Sequence, residues 1–255
     1  MTFAVSGDVY DRYMGRYSRL LAPRLVDFAG IERPARVVDV GCGPGALTEE
    51  LASRVGAGAV AAADPSETFV DACRARVPGA DVRLAPAEAL PWPDGCFDAA
   101  LSQLVVNFMS DANAGVREMQ RVVVGGGVVA SCTWEYRDGM RMLRTFFDAA
   151  LALDPEAPDE GRVMRFQGAA ELEALWREAG LREVETAPLD VAVAYEDFDD
   201  YWLPFESGTG PAGAYCASLA HGARRELREE CFRRLGEPQG SFTLSARAWA
   251  VRGEV

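Results

Sequence analysis

The chain has 255 residues, 49% of them apolar, and a formal net charge of −13, with all 26 basic residues arginine. That length supports one large domain with its own core, no run of 18 apolar residues offers a membrane span, and the acid excess opposes binding to nucleic-acid phosphate. Six scattered cysteines without a C-x-x-C pair, and a single histidine, argue against a metal cage or a disulfide framework, so a soluble, cytoplasmic, metal-free protein is expected.

Residues 8–30 read as a helix, because Tyr10, Tyr13, Tyr17, Leu20, Leu21, Leu25 and Phe28 recur at spacings of three and four. Apolar strands then follow near 36–40, 59–63, 81–85, 97–102 and 127–134, with helical stretches between them. This alternation predicts a doubly wound α/β domain with a mostly parallel, Rossmann-like sheet. Helices are predicted over 139–153 and 169–180, the second ending at Gly180. Residues 181–195 contain a sixth strand, and the alternating 241–251 a seventh. Between these two strands lies an insertion of about 196–238. It opens on Asp197-Phe198-Asp199-Asp200-Tyr201-Trp202-Leu203-Pro204-Phe205 and turns at Gly208-Thr209-Gly210-Pro211. It then continues as one charged helix, Tyr215 to Leu235, with Leu219, Ala223, Leu227, Cys231 and Leu235 on one face. Its glycines suit a lid on a single domain spanning 1–255. His221 falls on the far side of that helical stripe, toward solvent.

The most informative run is Val37-Val38-Asp39-Val40-Gly41-Cys42-Gly43-Pro44-Gly45, a buried strand closed by a glycine turn. Three glycines in five positions let backbone N–H groups approach a ligand that side chains would block. As G-x-G-x-x-A the run resembles the dinucleotide fingerprint. As Asp-x-Gly-x-Gly-x-Gly it resembles motif I of the class I S-adenosylmethionine (SAM) methyltransferases, where Asp39 would stand beside the methionine amino group. Asp64 closes the second strand, where a carboxylate can accept both hydroxyls of an adenosine ribose; the alternative is an acid at the start of the following helix. Ala87-Glu88-Ala89-Leu90-Pro91-Trp92 and then Cys96-Phe97-Asp98-Ala99-Ala100-Leu101 resemble that family's adenine-contact segment and fourth strand. The tract Arg121 to Gly127, leading into Val128 to Thr133, extends the same order. The chain is similar to the class I SAM methyltransferases over nearly its whole length, and within them to a bacterial small-molecule branch (methyltransferase type 11, UbiE-like). The segment Tyr10 to Ser18 resembles the opening of that branch.

The resemblance implies a seven-stranded sheet with an antiparallel last strand, SAM as cofactor, and a cofactor site formed by Tyr13, Arg16, Asp39, Gly41, Cys42, Gly43, Gly45, Asp64, Pro65, Ala87, Glu88 and Gln103. Arg16 would meet the methionine carboxylate, or else lie on a solvated helix face. Two departures stand out. Ala85-Pro86-Ala87 replaces the family's Gly-Asp-Ala, removing an acceptor for the adenine amino group that Glu88 would have to supply. Val123-Val124-Gly125-Gly126-Gly127 replaces the Arg-Pro-Gly-Gly turn. Asn107, Phe108, Trp134, Tyr136, Arg165, Tyr201 and Trp202 fall where the acceptor would lie, although aromatic residues are normally core. Glu135, between two aromatics past the fifth strand, is the first candidate for a catalytic base; a surface acid, or an arginine's ion-pair partner, is the alternative.

The function implied is methyl transfer from SAM to oxygen, nitrogen or carbon of a small, largely apolar or aromatic metabolite of secondary metabolism, by a monomer or homodimer without nucleic-acid or membrane partners. Two other readings keep the fold and the ligand: a SAM-binding cyclase or pericyclase, and a non-catalytic SAM-binding module.

Overall fold

Short strands rich in Val and Ala can be buried on both sides only if helices cover both faces of their sheet. The computed structural model has that arrangement; it describes residues 11–32 and 35–255. The expected helical start at 8–10 lies outside them. Seven strands, β1 (Val37–Val40), β2 (Val60–Asp64), β3 (Asp81–Leu84), β4 (Phe97–Gln103), β5 (Val123–Trp134), β6 (Arg182–Tyr195) and β7 (Phe242–Glu254), form one sheet in the order β3-β2-β1-β4-β5-β7-β6. Pairings among β1 to β5 are parallel, whereas β7 runs antiparallel to both β5 and β6.

Ten α-helices lie among the described residues: α1 (Arg16–Ala29), α2 (Ala46–Val55), α3 (Glu67–Arg76), α4 (Ala112–Val122), α5 (Arg141–Leu153), α6 (Glu160–Val163), α7 (Ala169–Glu178), α8 (Phe198–Glu206), α9 (Gly210–Ser218) and α10 (His221–Arg234). A π-helical turn, Asp11–Gly15, leads into α1. On one face Val37, Leu101 and Ala130 pack with α1, α2 and α5; on the other Val38, Val40, Ala100 and Val129 pack with α4 and α7. The period of two along each strand sends neighbouring residues into different layers. Because β1 pairs with β2 on one side and β4 on the other, the strand order reverses there. A ligand crevice then opens beyond the carboxyl ends of these strands.

Three features differ from the sequence expectation. Strand β5 begins at Val123, so the triple-glycine tract is an irregular start of the strand, with the Gly126 N–H donating to the Val255 carbonyl at 3.0 Å. The charged helix expected from Tyr215 to Leu235 is two helices, because Leu219 and Ala220 are extended and interrupt it. The aromatic segment expected as a lid is α8, and it is core. Tyr201 and Trp202 are each 1% exposed. The Trp202 ring stacks at 6.3 Å on Phe146 and its Nε1–H donates to Glu206 at 2.8 Å, while the Tyr201 hydroxyl donates to the Met142 carbonyl at 3.1 Å. Phe205 stacks on Phe146 at 4.5 Å. Such a cluster joins the insertion to α5 as a fixed wall.

Truncation of a large ring in that wall leaves a cavity that rigid neighbours cannot fill. Trp202→Ala is expected to cost roughly 3–5 kcal/mol of stability. Urea denaturation checks it, and a loss below about 1 kcal/mol would mean that α8 is loosely attached.

Candidate active site

The glycine turn after β1 is shaped by what lies behind it. Gly41 has φ +77°, and a Cβ there would stand 2.5 Å from both Val105 methyl carbons, so only glycine fits. Gly45 (φ +96°) is closed off by Cys73, whose Sγ would lie 3.1 Å from an added Cβ. The backbone N–H groups of Gly41 and Cys42 donate to the Ala63 carbonyl at 2.8 and 3.0 Å. Asp64 then fixes the turn: one carboxylate oxygen accepts from the Gly43 N–H at 2.9 Å and the other from the Ser66 N–H at 2.9 Å. Burial raises the Asp64 carboxyl above its ordinary value, and the two backbone donors oppose that rise.

Asp39 points into the base of the same turn and is fully buried. Its Oδ2 accepts from the Thr48 hydroxyl at 2.6 Å, whereas Oδ1 has no partner. Burial pushes its carboxyl up to about 7, and the negative charge of Asp64 adds to the rise.

Around this turn lies a cleft of about 630 Å³. It brings together Asp39, Gly41, Cys42, Gly43, Asp64, Pro65, Ala87, Glu88, Gln103 and Phe108 of the residues expected from sequence. Gly45 stands behind the lining. The Gln103 Nε2–H donates to the Ser18 carbonyl at 3.1 Å, and its buried Oε1 has no partner. Glu88 Oε1 accepts from the Ser110 and Asp111 N–H groups at 2.8 and 3.2 Å, so its carboxylate secures the cleft's far wall. Phe69 and Met109 supply apolar walls that the sequence did not single out, since an apolar helix or loop residue reads as ordinary core.

A second, narrow cavity of about 40 Å³ adjoins the first, sharing Leu104 and Phe108 with it. Trp134, Tyr136 and Tyr13 line it, so Tyr13 stands here and not among the lining of the larger cleft. Leu104 has φ +65°, a left-handed conformation that is strained for leucine. It is held by its N–H bond to the Cys132 carbonyl at 2.8 Å. Asn107 lies behind Tyr136, donating to its hydroxyl at 3.3 Å, while Asn107 Oδ1 and Trp134 Nε1 are buried without partners. Glu160 also lines this cavity. It sits in the acid- and proline-rich stretch 154–160, which reads as a solvated loop, and only tertiary packing turns it inward.

Five expected residues stand elsewhere. The Arg16 guanidinium donates to Asp200 at 3.0 and 3.1 Å and to the Ala194 carbonyl at 3.0 Å, over the Tyr195 ring. A paired arginine fastening α1 to α8 and β6 is not available to a ligand carboxylate in the cleft. Glu135 turns away from both cavities because side chains alternate at the end of β5: Trp134 and Tyr136 face the small cavity, and Glu135 lies against Gly139 and near Arg247. Arg165 is exposed, donates to the Met109 carbonyl at 3.1 Å and covers Phe166. Tyr201 and Trp202 belong to the aromatic wall described above.

The residues present fit SAM. Asp39 Oδ1 and Gln103 Oε1 are buried acceptors without partners in one cleft, which suits a cationic amino group. The glycine turn admits close backbone approach, and Asp64 borders the same space.

The raised Asp39 carboxyl predicts a pH dependence in the ligand-free protein. The folded state holds this proton up to about 7, while the unfolded chain loses it near 3.8. Stability therefore falls as pH rises between those values, by at most about 1.4 kcal/mol per pH unit for one proton. The D39N variant, which has no carboxyl to ionise there, should gain on the wild type between about pH 5 and about pH 7. Parallel urea titrations at the two pH values measure it, and equal gaps at both would show that Asp39 ionises normally.

The chain matches the methyltransferase domain family over residues 38–131. It is 31% identical over 193 residues to a malonyl-[acyl-carrier protein] O-methyltransferase of Geobacter sulfurreducens, covering 74% of this chain and 71% of that protein. A malonyl-[acyl-carrier protein] O-methyltransferase of Pseudescherichia vulneris is 33% identical over 131 residues, and there the match spans 51% of each protein. Among solved structures, a protein of Anaeromyxobacter dehalogenans proposed to be a type II methyltransferase superposes with a TM-score of 0.65 at 23% identity, over 92% of this chain and 95% of that one. The [4+2]-cyclase SpnF superposes at 0.55 with 18% identity, over 92% of this chain and 81% of that one; at such identities the likeness is one of fold. With its glycine turn, its strand order and this kinship along the sequence, the chain belongs to the class I S-adenosylmethionine-dependent methyltransferases.

Proposed function

We propose that the protein transfers the methyl group of SAM to a small, largely apolar or aromatic acceptor held where the narrow cavity meets the cofactor cleft, its head group in the cavity. The observation that carries this reading is the shared wall: Leu104 and Phe108 border both spaces. An acceptor at that junction would sit directly against the cofactor space, with Leu104 and Phe108 beside both ligands. Asp39 and Gln103 would receive the methionine amino group, the glycine turn its backbone, and Asp64 the ribose hydroxyls. Bound SAM supplies a methyl group on a positively charged sulfur. The protein's contribution is placement of the reacting atoms at roughly 3–3.5 Å in a water-free space. Tyr13, Trp134 and Tyr136, each at most 5% exposed, suit the exclusion of water. The malonyl-[acyl-carrier protein] relatives act on an acyl group on a carrier protein, and the narrow aromatic cavity supports a more compact, less polar acceptor here.

Asp64→Ala removes a ribose acceptor and the latch on the Gly43 N–H together. It is expected to weaken S-adenosylhomocysteine binding by about 1.5–3 kcal/mol, roughly tenfold to a hundredfold and more. Calorimetric titration of the folded variant checks this, and unchanged affinity would place the ribose elsewhere.

Turnover itself is expected to release one S-adenosylhomocysteine per product formed, read by chromatography of reactions with candidate acceptors. Product formed without it would instead assign a cyclase-type activity on the same fold. Cofactor binding with no turnover on any acceptor would favour a binding module.

A further inference from the structure

One carboxylate lines the narrow cavity, and it has no hydrogen-bond or ion-pair partner among the described residues. Glu160 is 6% exposed, lines the cavity with Tyr13, Trp134 and Tyr136, and forms no hydrogen bond or ion pair through its carboxylate among the described residues. Its neighbour Asp159 is the opposite case, accepting from Arg144 Nη1 at 2.6 Å and from the Gly161 N–H at 2.8 Å. Arg144 is also engaged by Asp148, so the nearby cation is already taken. A buried, unpaired carboxylate is costly to a fold, and one facing a cavity can be compensated by what enters it.

Four aromatic residues, Tyr13, Phe108, Trp134 and Tyr136, line the cavity with this carboxylate, and such a set suits a cation because aromatic ring faces attract positive charge. A carboxylate acceptor would be repelled by Glu160, and no described basic side chain lines the cavity to offset that repulsion. A hydroxyl acceptor would satisfy one oxygen and leave the charge uncompensated. An ammonium group does both jobs.

We propose that Glu160 is the anchoring carboxylate of the acceptor cavity and that the acceptor is an amine on an apolar body. The proposal rests on the methyltransferase reading above and narrows it to nitrogen. The ammonium pairs with the carboxylate; one proton then passes from nitrogen to a Glu160 oxygen, leaving a carboxylic acid and a neutral amine with its lone pair free. Burial, with the Asp159 charge adding to it, raises the Glu160 carboxyl to about 7, which brings its proton affinity nearer to that of an amine.

The test is calorimetry on the full chain, with and without saturating S-adenosylhomocysteine, using benzylamine, 2-phenylethylamine, benzyl alcohol and benzoate as probes. The amines are expected to bind wild type at least tenfold more tightly than the alcohol or benzoate, and at least tenfold more weakly to Glu160→Gln. That variant keeps the side-chain shape and loses an unpaired buried charge, so it should melt at or above the wild-type temperature. Equal or tighter binding of benzoate or benzyl alcohol, amine affinity unaffected by Glu160→Gln, or no amine binding to wild type would each overturn the proposal. Failure to bind S-adenosylhomocysteine would count against the methyltransferase reading, while the amine titrations still decide the role of Glu160.

Discussion

The cofactor cleft depends on one carboxylate at the end of β2. Asp64 reaches across to the glycine turn of β1 and back to its own chain, and its two oxygens hold two backbone N–H groups. Three of the five turn residues are glycines at positive φ and bring no side chain with which to brace it. Its shape is therefore imposed from the neighbouring strand, by Asp64 and by the Ala63 carbonyl beside it. Parallel pairing of β1 with β2, Asp39 opposite Ala62, brings this about without any long-range loop. The same pairing sets two acids close together at the mouth of the sheet, and the proximity contributes to holding Asp39 protonated.

The opposite wall of the cleft is secured by charge in a different way. Arg121 donates to Glu118, to Asp94 and to the carbonyls of Leu90 and Trp92, so α4 grips the segment that follows Ala87. Glu118 also accepts from the Leu90 N–H at 2.9 Å. This arrangement explains how Ala85-Pro86-Ala87 can lack the family's acid and still hold a defined wall: the segment is anchored from behind, by residues that touch no ligand. Recognition of an adenine ring there would fall to shape and to backbone groups.

What could be read from the sequence was local. The alternation of strands and helices, the glycine turn and the acids at two strand ends are features of adjacent residues, and the cleft assembles from them. The residues that stand away from the cleft are those whose placement depends on distant partners. Arg16 is as basic and as near the cleft in sequence as a ligand-binding arginine would be, but Asp200 claims it. Tyr201, Trp202 and Phe205 have the composition of an aromatic lid and the packing of a core, and composition cannot separate the two. Glu135 and Glu160 make the sharpest contrast. The first stands between two cavity-lining aromatics and faces away by strand alternation; the second comes from a stretch with the look of solvated loop and is buried.

The provenance of the two cavities differs. Apart from Ser18, the cofactor cleft is drawn from a continuous stretch between Asp39 and Ser110, whereas the small cavity takes its walls from Tyr13, Trp134, Tyr136, Glu160, Gly210 and Pro211, scattered across the chain. Inheritance can therefore act on them separately. Replacements near the N-terminus or within the insertion would reshape the small cavity while leaving the lining of the larger cleft unchanged. Leu104 and Phe108 are the exception, since they border both spaces. Leu104 carries the added burden of a left-handed backbone conformation that few side chains tolerate.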